Sequence, residues 1–193
     1  MTTTTHVAAL PVRLREADRG ALADHFLTLD SEDRRLRFGS PLGDAGIIAY
    51  VQRIDFGADG IFAVQDERLR IVAAIHVARI GTSAELGLSV LPGYRGAHLG
   101  TVLFARAVMY LRNQGIRTVY VHCLSENATM MHIARKSGMR LTTGGSESDG
   151  QLALEPATAH THMLEWLQDQ RALALQIVRQ QARLSRVLLG LPV

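Results

Sequence analysis

The segment SVLPGYRGAHLG, Ser89 to Gly100, decides how this chain is read. It closes an apolar run with Leu91-Pro92-Gly93. Arg95 to Gly100 then supply two glycines, an arginine and a histidine just ahead of a long helical pattern. Upstream, SAELGLSV (Ser83 to Val90) alternates as a strand. Ala84, Leu86, Leu88 and Val90 share one face, and Glu85, Gly87 and Ser89 share the other. Downstream, Gly100 to Gln114 carries Val102, Leu103, Ala107, Val108 and Leu111 as one apolar stripe, and Gly115 is placed to stop that helix. A glycine-containing turn between strand and helix lets backbone approach an anion. The first helix amides, left without partners, then point at it. Arg95 can add a charged contact. The plainer alternative is an ordinary turn with a solvated arginine. Walker A chemistry is excluded because no Gly-Lys-Ser/Thr follows, and Gly-x-Gly-x-x-Gly is absent.

The rest of the chain supplies a mixed α/β frame. GIFAVQ (Gly60 to Gln65), LRIVAAIHVARI (Leu69 to Ile80), TVYVHC (Thr118 to Cys123) and QLALE (Gln151 to Glu155) read as strands. MRLTT, from Met139, leads into a Gly/Ser turn, GGSESDG, ahead of the last of them. NATMMHIARKSG reads as a helix, with Asn127 to cap it and Gly138 to end it. From Gly60 to Glu155 the order is strand, strand, strand, helix, strand, helix, strand, strand. Ahead of this, residues 1–9 read as a loose leader and PVRLREAD as a short strand. Asp18 to Leu29 forms a helix with Leu22, Phe26 and Leu29 inward, and short helices start at Ser31 and Gly43.

Thr158 to Leu189 lacks proline and glycine and is rich in helix formers. As one helix it spans roughly 48 Å. Leu164, Leu167, Ile177, Leu184 and Leu188 form an imperfect stripe, for packing on the parent domain or for a homodimer, and the apolar end VLLGLPV docks or frays. The expected division is a domain at 10–156 and a helical extension at 157–193.

Composition narrows the function. The 193 residues are 47% hydrophobic, enough for one core, and the net charge is +3. With only 5% aromatics and no basic tail, neither a base-stacking surface nor a nucleic-acid partner is expected. A single cysteine, Cys123, rules out an internal disulfide and a thiolate zinc cluster within one chain. The histidines have no metal spacing, so no metal is expected. The opening MTTTTHVAAL lacks a secretory pattern, and no apolar run reaches about 18 residues. A cytoplasmic protein without a membrane partner is expected.

Residues 60–141 together resemble the Gcn5-related N-acetyltransferase (GNAT) family. Its pyrophosphate loop reads Arg or Gln, two residues, Gly, one residue, Gly or Ala. Arg95 and Gly100 match the ends, and His98 replaces the middle glycine. Asn127, Met130, Ile133, Lys136, Gly138 and Met139 match the later helix, Met139 replacing an aromatic. VRLREAD and LDSEDRRLRF are similar to the first strand and substrate-side helices of bacterial members. The resemblance implies a central, mostly antiparallel, splayed sheet flanked by helices, acyl-CoA N-acyltransferase-like. It implies acetyl-CoA as cosubstrate and an amine acceptor, small molecule or protein.

By the same resemblance, backbone of Leu88, Ser89 and Val90 holds the pantetheine arm. Arg95, Gly96, Ala97, His98, Leu99 and Gly100 hold the pyrophosphate, and Asn127 contacts the cofactor. Glu85 is the candidate base, with Asn127 and Ser125 as further catalytic candidates. The plain alternatives are a solvated glutamate and a helix cap. The family's common tyrosine acid falls at Ala134, so a weakly active or inactive acyl-CoA-binding module is the rival reading. Tyr94 packs on the adenine or on the loop. Cys123 is expected as a small core residue, with the adjacent His122 on the opposite strand face. His76 is expected as a satisfied, half-buried side chain. Arg34, Arg35 and Arg37 form a basic run, read as a solvated face or as a site for an acidic partner.

Overall fold

The computed structural model describes residues 10–188. Its elements in chain order are β1 (Val12–Arg13), α1 (Arg19–Leu27), α2 (Ser31–Phe38), α3 (Asp44–Arg53), β2 (Gly60–Gln65), β3 (Ile71–Ile80), β4 (Ser83–Val90), α4 (Leu99–Asn113), β5 (Thr118–Leu124), α5 (Ala128–Lys136), β6 (Arg140–Gly144), β7 (Glu147–Ala153) and α6 (Ala159–Leu188). The sheet order is β1-β2-β3-β4-β5-β7-β6. Every neighbouring pair is antiparallel except β4 with β5.

That exception shapes the molecule. β4 and β5 pair only from Ser83↔Thr118 to Glu85↔Tyr120, and beyond this the strands part. At β2 and most of β3 the sheet is buried on both faces, so β2 is apolar without alternation. Phe62 and Val64 join a core with Leu103, Phe104 and Leu111 of α4 and Ile133 of α5. Ile61 and Ala63 face Leu22 and Phe26 of α1 and Ile47 and Val51 of α3. Each such buried side chain contributes about 1.5–3 kcal/mol.

The mixed α/β order and the splayed sheet are as expected, and two strand boundaries differ. β3 starts at Ile71 instead of Leu69. Asp66 Oδ1 accepts from the amides of Arg68 and Arg70, folding this stretch into a turn that puts Leu69 at φ +63°. β7 runs from Glu147 to Ala153, so the ESDG piece of the expected turn is strand. It pairs with β5 on one side and β6 on the other, and that two-sided ladder overrides its turn-like composition. The first two helices are entered differently. Asp30 caps α2, accepting from the Asp33 amide, and Asp18 accepts from the Arg15 amide while making no side-chain cap bond to α1.

α6 packs on α4 and β1. Its inward face is mostly polar. Arg106 of α4 bonds to Glu165 and Asp169, Asn113 to Thr161 and Glu165, and Gln65 to Gln176 and Arg179. Ala172 is its buried apolar contact. The leucine stripe therefore does not define the docked face, and Ile177 and Leu167 are exposed. Residues 1–9 and 189–193, which include the leader and most of the apolar end, lie outside the described residues, as do the side chains of Leu184 and Leu188. No helix among the described residues is long and apolar enough to cross a membrane.

Candidate active site

The parting of β4 from β5 opens a cleft of about 400 Å³. Leu88, Ser89 and Val90 form one wall, α2 contributes Asp33, Leu36 and Arg37, and α5 contributes Asn127, Met130 and Ile133. The floor is the Arg95–Gly100 turn. Gly96 has φ +79° and His98 has φ +58°, both left-handed. The backbone here is the one glycine adopts freely, and His98 adopts it too, its side chain exposed. No side chain caps α4, and its first helical bond runs from the Val102 amide to the His98 carbonyl. The amides of the first turn thus lack helical partners and lie beside the cleft. Gly100 is there for a packing reason. A Cβ on it would lie 2.8 Å from Ile133 Cδ1 and 3.2 Å from Leu88 Cδ2, so α4 could not sit as close to β4 and α5.

The site candidates fall into three groups. Leu88, Ser89, Val90, Arg95, Gly96, His98, Leu99, Gly100 and Asn127 all line this cleft. Glu85 lines a second cavity of about 560 Å³, which shares Arg37 with the first. Ala97 and Ser125 line neither. The Ser125 hydroxyl donates to the Gly145 carbonyl at 3.1 Å and lies 3.0 Å from Ser148 Oγ, within the β6–β7 hairpin. Asn127 caps α5 through its Oδ1, which accepts from the Met130 amide at 3.0 Å. Its Nδ2 donates to the Leu36 carbonyl and ties α5 to α2. Arg95 donates from Nε to the Val90 carbonyl and from Nη2 to Asp33 Oδ1. The Tyr94 ring packs on the core, and its hydroxyl donates to Asp66.

The basic run splits into three different roles. Arg34 is a structural clamp, donating to the carbonyls of Leu27, Leu29 and Leu42. Arg35 pairs with Glu32 and Glu126. Arg37 lies against the rings of Phe26, Phe38 and Tyr50. Its guanidinium fills the space a Cβ on Gly87 would need. The run is thus neither a free patch for an acidic partner nor a fully solvated face.

The second cavity also holds Tyr50, His76, Cys123, Glu147 and Asp149. Cys123 is half-buried, and burial, with the Asp149 carboxylate nearby, pushes its thiol up, away from nucleophilic use at neutral pH. The adjacent His122 bonds Asp149. His76 is buried and satisfied, with Tyr50 Oη at 2.6 Å from Nδ1 and Asp59 Oδ2 at 3.1 Å from Nε2. Its ring is pushed below the usual histidine range, chiefly by burial. Sequence reading singled out neither Tyr50, Asp59 nor Arg37 as a partner of His76. One signal was available: a two-residue turn at Gly81–Thr82 sets the β3–β4 register, and counting outward pairs His76 with Gly87. Ala134, at the position of the family's tyrosine, is buried in the core and supplies no hydroxyl. Among the described residues, no group of three or more His, Cys, Asp or Glu could hold a metal.

Known structures share this frame. The GNAT domain of S. lividans PAT is 18% identical with a TM-score of 0.64, covering 75% of this chain and 89% of that one. The Vibrio cholerae spermidine N-acetyltransferase gives 18%, 0.58, 74% and 94%, and a phosphinothricin acetyltransferase from Sinorhizobium meliloti gives 14%, 0.61, 77% and 93%. No curated protein matches the chain by sequence. The description of the acetyltransferase (GNAT) family matches residues 26–139, which include α2, the parted strands, the Arg95–Gly100 turn and the Asn127-capped helix. With more than half its length matched, the chain belongs to the acetyltransferase (GNAT) family.

Proposed function

We propose that this chain is an acetyl-CoA-dependent N-acetyltransferase acting on a primary amine of a small molecule or a protein. The observation that carries this reading is the placement of two neighbouring cavities. The cleft between β4 and β5 ends on the uncapped start of α4, and it shares Arg37 with the cavity that holds Glu85. The residues present fit the cosubstrate. First-turn amides of α4, the Gly96 and His98 backbone and Arg95 suit a pyrophosphate, and the free edge of β4 at Leu88–Val90 suits an amide-bearing arm. Acetyl-CoA supplies the activated acyl thioester. Glu85 attracts the acceptor's ammonium and offers one route for its proton.

Spermidine and phosphinothricin acetyltransferases among the structural neighbours make small amines and amino-acid-like amines natural probes. The test is calorimetric titration with acetyl-CoA and dephospho-CoA, then thiol release with ethylamine, spermidine, L-lysine and phosphinothricin. Micromolar binding and release with at least one amine are expected. Binding without release from any amine favours the rival reading, a binding module without turnover, which Ala134 supports. No binding at millimolar ligand overturns both.

α6 bears on assembly. Met163, Trp166, Leu173 and Ile177 are exposed and, with Gln170 between them, follow 3-4 spacing. Such a seam suits a second copy of the same helix, and the dimer we propose is read from solution mass. Trp166→Glu should then leave a monomer.

A further inference from the structure

The second cavity contains a chain of hydrogen bonds whose direction is fixed. Arg37 Nη2 lies 3.0 Å from Tyr50 Oη, and a guanidinium can only donate. The phenol oxygen accepts that bond and lies 2.6 Å from His76 Nδ1. A carboxylate can only accept, so the hydrogen of the neutral ring sits on Nε2, facing Asp59 Oδ2 at 3.1 Å, and Nδ1 is left to accept the Tyr50 O–H. Asp59 is fixed in turn, since its Oδ1 accepts from the Arg79 amide at 3.2 Å. Hydroxyl, imidazole base and orienting carboxylate stand in series, an arrangement that activates a hydroxyl for proton transfer. The groups facing His76 are Tyr50 and Arg37 from the helical layer, Asp59 from the loop before β2, and Glu85 and Gly87 from β4.

We propose that Tyr50 is the catalytic residue that takes the acceptor's proton, with His76 and Asp59 as its positioning and charge-holding partners. This rests on the acetyltransferase reading. An acceptor N–H bond breaks and its proton goes to the Tyr50 oxygen, while the Tyr50 O–H proton goes to His76 Nδ1. The imidazolium faces the Asp59 carboxylate. The freed nitrogen lone pair forms the C–N bond as the thioester C–S bond breaks, and the departing thiolate takes the nitrogen's second surplus proton. His76 returns its proton to solvent through Tyr50. Glu85, exposed and without a side-chain hydrogen bond among the described residues, attracts the ammonium.

Two measurements test this. On the free protein, 15N shifts of the His76 ring, assigned by loss of signal in His76→Gln, should show the Nε2–H tautomer at pH 7.5. In Asp59→Asn the new amide should keep its oxygen on the Arg79 amide and turn its NH₂ to Nε2, moving the ring hydrogen to Nδ1. A wild-type Nδ1–H ring overturns the proposal. Second, thiol release is followed with the fastest primary amine of the panel and with hydroxylamine, which is already neutral at pH 7.5. Tyr50→Phe keeps the ring packing. It should cut kcat with the alkylamine about 100-fold, leave acetyl-CoA affinity unchanged, and lose far less with hydroxylamine. Tyr50→Phe and Asp59→Asn together should cost no more than either alone. Equal losses with both amines, or no loss, overturn the relay while leaving the acetyltransferase reading intact. A wild-type protein that binds acetyl-CoA but acetylates no amine overturns both.

Discussion

His25 Nε2 lies 2.7 Å from Ser89 Oγ, so a core histidine of α1 anchors the strand that walls the cleft between β4 and β5. Its Nδ1 donates to the Ile71 carbonyl at 3.0 Å, and Nε2 accepts from the serine. Both ring nitrogens are thus filled by the neutral form. Burial pushes the ring down to about 4 from an ordinary value of 6.5. The unfolded chain therefore binds the extra proton first. Stability is fully present above pH 6.5 and falls as the pH drops toward 4, by about 3 kcal/mol in total. Urea unfolding at pH 7.5 and 4.5 should show this loss, and His25→Gln should flatten it.

Arg106 holds α6 to the domain with a side chain that is 2% exposed. Nη1 lies 2.9 Å from Glu165, Nη2 lies 2.6 Å from Asp169, and the guanidinium sits 4.4 Å from the Phe62 ring centroid. Removing the arginine strands the Glu165 carboxylate, which is 15% exposed, while Asp169 stays in contact with water. Arg106→Ala should cost about 3–5 kcal/mol. Arg106→Met combined with Glu165→Gln should cost less, because no buried charge is left unpaired. Urea midpoints measure both, and limited proteolysis should cut Arg106→Ala first within 159–188.

What the sequence made legible follows from local rules. The β4 boundaries, the Gly115 and Gly138 stops and the Asn127 cap all rest on period, left-handed glycine or side-chain capping, which short windows contain. The polar inward face of α6 was not legible. Apolar periodicity points to leucines, whereas Arg106, Asn113 and Gln65 on other elements make polar residues the docked ones. Arg37 was hidden for the same reason. Its place over Gly87 depends on α2 and β4 meeting across 50 residues of sequence.

His98 tests how much the Arg95–Gly100 turn depends on glycine. The backbone at φ +58° is left-handed, at a cost of roughly 1–2 kcal/mol for a residue with a Cβ, and histidine tolerates it better than most. His98→Gly should leave acetyl-CoA affinity within about threefold, since the cradle's shape is already present. His98→Val puts a β-branched residue at the same φ and should weaken binding about tenfold, or about 1.4 kcal/mol. Calorimetry distinguishes the two. A large gain from His98→Gly would mean that the imidazole itself obstructs the anion.

Glu85 and Tyr50 should separate by kinetic parameter. Glu85 is exposed on β4 opposite Ala78, at the last rung before β4 and β5 part. A carboxylate there draws an ammonium into the cavity through a screened field, worth about 1 kcal/mol. Glu85→Gln should therefore raise KM for the amine about five- to tenfold and leave acetyl-CoA affinity unchanged, with the effect shrinking at high salt. If the relay carries the proton, kcat of Glu85→Gln stays within about threefold of wild type, while kcat of Tyr50→Phe falls about 100-fold. A kcat collapse in Glu85→Gln with KM unchanged would return the base role to Glu85.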